Sequence, residues 1–158
     1  MQVQFIDESE FIKYKFKTKP YKHQYDAFLK CKDKESYALF MEQGTGKSKV
    51  VIDNIAYLYR EGKIDTAVIA APKGVYRNWL SSEYNTHMPD DVKEFTEMLV
   101  WSPTETKSNI DTLTNFLKPN HNLKFFIINI EALSTDKGKN YLHRLLNSSK
   151  AFFCIDES

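Results

Sequence analysis

Several protein classes are excluded by what this sequence has little of. Cysteine occurs twice in 158 residues, as Cys31 and Cys154. Cys154 sits inside the apolar run AFFCID and reads as a small buried residue. Two such cysteines make no disulfide framework, so a reducing cytoplasm is the expected compartment, a host cell's included if the protein is viral. No apolar run approaches the roughly 20 residues that cross a bilayer. The start, MQVQFIDESE, is acidic and polar rather than a secretory signal. The four histidines are scattered without metal-ligand spacing. Net charge is only +1, which argues against holding nucleic acid by bulk charge while leaving room for a local basic groove. There is no internal repeat, low-complexity stretch or Pro/Gly/Ser linker.

What is present is a rhythm of strands and helices. The stretch Ile12–Lys19 alternates apolar or neutral residues with lysines, which predicts a strand with one buried face and one lysine face. A lysine-protected edge is the leading reading of it and a phosphate-contacting ribbon the second. Pro20 closes the segment. A helix is expected over Lys22–Lys32, with Tyr25, Phe28 and Leu29 as its inner stripe. A short strand, Tyr37–Met41, then runs into EQGTGKS. A helix over Lys47–Arg60 follows, with Val51, Ile55 and Leu58 inward and Gly62 as its stop.

Beyond it, strands are expected at Thr66–Ala71, Phe95–Trp101, Lys124–Ile130 and Ala151–Ile155. Helices are expected around Val75–Tyr84, Thr104–Leu117 and Lys139–Asn147. Strands that are apolar throughout are buried on both faces, and alternation with helices makes them parallel. The fold class is therefore α/β, a doubly wound, mostly parallel sheet flanked by helices. The expected division is an N-terminal strand and helix over residues 1–35 and the parallel-sheet lobe over 36–158.

Two segments carry chemistry. In EQGTGKS, Gly44 and Gly46 let the backbone turn tightly and approach phosphate. The amides of Gln43, Gly44, Thr45 and Gly46 would form an anion nest at the start of a helix. Lys47 would reach the β- and γ-phosphates, and the Ser48 hydroxyl would ligate Mg²⁺. The strict pattern G-x-x-x-x-G-K-S/T places its first glycine where Met41 stands, so this is a relaxed P-loop. At the other end, the strand AFFCI delivers Asp156 and Glu157 to the carboxyl edge of the sheet. Asp156 would hold Mg²⁺, and Glu157 would orient and deprotonate a water.

With both sites placed, the sequence resembles superfamily 2 helicases, nearest the Snf2-like branch, and implies a P-loop NTPase (recA-like) lobe. Five segments carry the resemblance: Thr18–Gln24, Phe40–Ser48, Ala71–Lys73 with Trp79 and Glu83, Ile128–Ser134, and Asp156–Ser158. It implies that Gln24 reads adenine through its amide, and that the cofactors are ATP and Mg²⁺. It also implies translocation on nucleic acid, DNA ahead of RNA, with Lys73, Arg77, Asn129 and Ser134 touching the backbone. Trp79 reads equally as a core tryptophan, and Lys73 and Arg77 equally as a solvated helix start.

The same resemblance implies a second recA-like lobe with arginine fingers, which this chain does not contain. The chain by itself is thus expected to bind nucleotide, to turn it over poorly, and to show an exposed sheet edge. Two other functions stay open at this point. One is another P-loop enzyme such as a small-molecule kinase, and the other is a non-catalytic nucleotide- or nucleic-acid-binding module.

Overall fold

A computed structural model of the chain describes residues 4–39 and 46–156. Helices α1 (Glu8–Tyr14) and α2 (Lys22–Cys31) precede α3 (Lys47–Arg60). Strand β1 (Thr66–Ala71) leads into one helical stretch made of α4 (Tyr76–Asn78), a π-helical turn (Trp79–Tyr84) and α5 (Asn85–His87). Next come α6 (Asp90–Lys93), β2 (Thr96–Val100), α7 (Lys107–Phe116) and β3 (Leu123–Asn129). A 3₁₀ turn (Ile130–Ser134), α8 (Asp136–Asn147) and β4 (Ala151–Ile155) complete the order. No helix among the described residues is long and apolar enough to cross a membrane.

The four strands form one parallel sheet in the order β2-β3-β1-β4. The fold is thus the expected α/β class, with the sheet covered by helices on both faces. Strand β1 is buried along its whole length, and β3 along all but its last residue. Alternate residues feed opposite sides. Ala67, Ile69, Ala71, Phe125 and Ile127 pack with Ile52, Ile55, Trp79 and Met88 on one face. Val68, Ala70, Phe126 and Ile128 pack with Trp101, Phe116, Tyr141 and Leu145 on the other. This double burial is why these strands read as unbroken apolar runs rather than as alternating ones.

Helix α3 is buried nearly all round its first two turns. Val51, Ile52 and Ile55 face the sheet, while Val50 meets a third cluster made by Ile6, Phe16, Tyr25, Phe28 and Cys31. Four β-branched residues in a row of six are poor helix formers, so tertiary packing holds this helix, not intrinsic propensity. Gly62, at φ 70°, stands just past its end in the left-handed region that glycine tolerates.

The predicted strand over Ile12–Lys19 is not formed. Residues 8–14 are helical, and Lys15 ends the helix at φ 54° and ψ 41°. Acidic Glu8 and Glu10 lie in the first turn and Lys13 in the last, which suits the helix dipole. The apolar members of the alternation also do not share one face. Ile12 is 64% exposed, whereas Phe16 is buried against Tyr25 and Phe28. Of the strand expected at Tyr37–Met41, residues 37–39 show no strand pairing, and Phe40 and Met41 lie outside the described residues. Cys154, read as buried, is half-buried on β4, an end strand of the described sheet. Its thiol is pushed up to about 12, by burial first and by the charge of Asp156 second.

Candidate functional site: the carboxyl edge of the sheet and the start of α3

Parallel strands bring their carboxyl ends to one edge. Ala71 pairs with Asn129, and Ala70 pairs with Ile155. The residues at the ends of β1, β3 and β4 therefore gather there: Pro72 and Lys73, Asn129 to Glu131, and Asp156. The amide of Asp156 donates to the carbonyl of Ala70 at 2.8 Å, continuing the ladder one residue past β4.

Asp156 receives a second bond through its side chain. The indole Nε1–H of Trp79 donates to its Oδ2 at 3.0 Å. Trp79 is only 2% exposed and belongs to the core cluster against the sheet. Trp79 is thus a core tryptophan whose indole N–H reaches Asp156. One helical turn on, burial raises the carboxyl of Glu83 above its usual range, and the charge of Asp156 adds to the effect.

At the start of α3, Gly46 caps the helix at φ 80° and ψ 39°. Its carbonyl accepts from Nε2 of Gln24 at 3.5 Å, and Oε1 of Gln24 accepts from the Tyr21 amide at 2.9 Å. Gln24 is buried. A Cβ added at Gly46 would lie 2.0 Å from Gln24 Nε2 and would displace that amide. Glycine is therefore favoured here by the backbone conformation, and its lack of a Cβ leaves room for the Gln24 amide. Lys47 and Ser48 follow as the first residues of α3, both half-buried. Gln43, Gly44, Thr45 and Glu157, expected to complete the nest and to orient a water, lie outside the described residues.

The oxygen donors present suit Mg²⁺. Ser48 offers a hydroxyl and Asp156 a carboxylate, both hard ligands. Among the described residues no group of three or more His, Cys, Asp or Glu converges.

The residues expected at nucleic acid divide. Lys73 and Asn129 are brought together by Glu131, which sequence reasoning did not single out. Its Oε1 accepts from the Lys73 amide at 3.3 Å, and its Oε2 accepts from Asn129 Nδ2 at 3.2 Å. Hydrogen bonds from the Glu131 backbone, Asn129 and the Lys73 backbone hold that carboxyl below its usual range. Arg77 is exposed, with its guanidinium over the Tyr76 ring at 5.5 Å. Ser134 is exposed at the end of the 3₁₀ turn, just before Thr135 caps α8. Among the described residues no side-chain hydrogen bond joins Arg77 or Ser134 to the Glu131 carboxylate, although Ser134 closes the 3₁₀ turn that contains Glu131.

A second polar centre lies beneath the start of α3. Lys49 Nζ donates to Asp53 Oδ2 and to the Thr18 carbonyl, each at 2.8 Å, and sits 5.3 Å from the centre of the Phe16 ring. The Thr18 hydroxyl meets His87 Nδ1 at 2.8 Å. Burial pushes the pair toward its neutral forms: Lys49 is lowered, and Asp53 is raised to about 6. His87 is lowered to about 4, by burial and then by the charge of Lys49. The i,i+4 spacing of Lys49 and Asp53 was visible in the sequence, but their burial was not.

Compared with known families, residues 2–158 match the family model described as type III restriction enzyme, res subunit. No curated protein matches the chain.

Proposed function

Because the chain belongs to the type III restriction enzyme res-subunit family, a helicase-like P-loop ATP-binding domain of superfamily 2, we propose that it is the first ATP-binding lobe of a nucleic-acid-dependent ATPase. The observation that carries the proposal is the packing of Gln24 on Gly46. It joins a candidate adenine reader directly to the turn that opens a helix bearing Lys47 and Ser48. A glutamine amide offers both a donor and an acceptor, the pair that an adenine edge requires. A helix N-terminus with a preceding glycine turn offers amides and a positive dipole to phosphate.

In this reading residues 1–35 form the adenine-facing layer on a recA-like lobe of residues 36–158. The amides of Gln43, Gly44, Thr45 and Gly46 cradle the phosphates, and Lys47 reaches the outer two. Ser48 and Asp156 would hold Mg²⁺, whose charge would supply electrostatic stabilisation of the transferring phosphoryl group. Glu157 orients the attacking water and takes its proton. Lys73 and Asn129, fixed by Glu131, with Arg77 and Ser134 beside them, contact the nucleic-acid backbone. DNA is favoured over RNA, as the resemblance to superfamily 2 helicases near the Snf2-like branch implies. The finer placement is near the Snf2-like branch, supported by the order of the five motif segments. The second lobe would supply arginine fingers, which raise turnover by orders of magnitude.

The test is calorimetric titration of Mg²⁺·ATP into the purified chain, with Lys47→Ala alongside. Saturable binding that is lost in the variant is expected. A folded chain with no such binding, or one whose binding survives Lys47→Ala, contradicts the proposal.

A further inference from the structure

We propose that Trp79 is a positioning residue for the metal-binding carboxylate, fixing the rotation of Asp156 through the indole N–H bond to Oδ2. The inference rests on the reading of Asp156 as a Mg²⁺ ligand and adds a residue that acts through it.

Three observations support it. The first is chemical. An indole has one donor and no acceptor, so a buried tryptophan needs a partner for its N–H. Trp79 is 2% exposed, and its N–H is directed to Asp156 Oδ2 at 3.0 Å. The second is mechanical. The terminal torsion of an aspartate is broad, so the carboxyl plane is set by what binds it. Trp79 is wedged in the core with Ile52, Ile55, Met88 and Phe125, which leaves its ring little freedom. A rigid donor on one oxygen therefore transmits the rigidity of the core to the carboxylate. The third is architectural. The two residues lie 77 apart in sequence and meet because β1 and β4 are parallel neighbours. Trp79 opens the π-helical turn Trp79–Tyr84, an irregularity that in proteins accumulates at functional sites.

The indole N–H is a neutral donor, so it orients the carboxylate without cancelling its charge. A lysine in the same place would compete with the metal. Partners of this kind, one step removed from a metal, change its affinity by about 10- to 100-fold when removed.

The experiment compares ATP affinity with and without Mg²⁺, by calorimetry, for the unchanged chain, Trp79→Phe, Asp156→Asn and the double variant. Trp79→Phe keeps the aromatic bulk and loses the donor. We expect it to leave metal-free ATP affinity within about twofold and to reduce the gain conferred by Mg²⁺ by about tenfold or more. Asp156→Asn should remove that gain, and the double variant should add nothing further. If Trp79→Phe keeps the full gain while Asp156→Asn loses it, the positioning role is wrong and the metal-ligand reading stands. If Asp156→Asn keeps the gain as well, the metal-ligand reading fails and takes this inference with it.

A second readout leaves Trp79 in place. The chain has two tryptophans, so Trp101→Phe makes Trp79 the only indole. Its emission should change on adding Mg²⁺·ATP, and that change should vanish with Asp156→Asn. Emission that ignores Mg²⁺·ATP in a chain that binds it overturns the proposal.

Discussion

Two aspartates in this chain each accept a hydrogen bond of about 3 Å from a buried side chain, with opposite consequences. Asp53, on α3, accepts from the Lys49 ammonium at 2.8 Å. Asp156, after β4, accepts from the Trp79 indole at 3.0 Å. A cationic donor both orients and neutralises a carboxylate, so the Lys49–Asp53 pair is closed to any third charge. Its side chains are 3% and 2% exposed, and Oδ1 of Asp53 accepts no hydrogen bond from the described residues. A neutral donor only orients. The first arrangement ties Thr18, α3 and the helix bearing His87 into one block, and the second suits a carboxylate meant to meet a metal ion. Burial and donor charge, rather than residue type, separate a structural aspartate from a candidate ligand.

The largest effect should come from breaking the buried pair. Lys49→Met leaves Asp53 facing a dry interior, and removing one partner of a buried ion pair costs about 3–5 kcal/mol. Urea unfolding should show that loss. Lys49→Met with Asp53→Leu should recover most of it, because paired apolar replacement is close to neutral. A double variant as unstable as the single one would mean that the pair contributes specific stability.

A smaller effect is expected at the start of α3. Gly46→Ala forces an alanine to φ 80°, at a cost of about 1–2 kcal/mol. The new methyl should also push the Gln24 amide aside. Preference for ATP over GTP should fall in Gly46→Ala to the level of Gln24→Ala, and combining the two should lower it no further. Unchanged nucleotide preference in both variants would remove Gln24 from the site.

The smallest effect is a slope in pH. His87 is lowered from 6.5 to about 4, so the unfolded chain binds more protons in that window, and stability from this group rises with pH. Asp53 is raised from 3.8 to about 6, so the folded chain holds more protons there, and stability from this group falls with pH. The two slopes oppose each other between about pH 4 and pH 6. His87→Gln, which can keep the bond to Thr18, removes the rising component. Relative to the unchanged chain, its thermal midpoint should therefore drop as pH is raised from 4 to 6. A steeper rise would reverse the assignment.

The centre of the sheet was legible because β1 and β3 are buried on both faces, whereas β4 was legible from its apolar run although Ala151, Phe153 and Ile155 are exposed. The apolar runs Thr66–Ala71 and Ala151–Ile155 have the bounds read from the sequence. So does α3, which starts after Gly46 and ends before Gly62. The segment Ile12–Lys19 misled because a period-two pattern over a few residues is a weak local signal. A long-range aromatic cluster decides its structure, with the Tyr14 ring 5.1 Å from Phe28 and 6.1 Å from Tyr57. The second buried side of α3 was missed for the same reason, since the cluster covering it comes from residues before α3. In the candidate site, Gln24, Gly46, Lys47, Ser48 and Asp156 were visible as motifs. Trp79 on Asp156 and Glu131 between Lys73 and Asn129 were not. Those contacts exist only once β1 has been placed between β3 and β4.

The most direct test sets the two aspartates against each other as metal ligands. ATP affinity with and without Mg²⁺ would be measured in the unchanged chain, in Asp156→Asn, and in the Lys49→Met, Asp53→Leu double variant. The account predicts that the unchanged chain and the double variant share the same gain from Mg²⁺, and that Asp156→Asn has none. A full gain in Asp156→Asn, or its loss in the double variant alone, would contradict it.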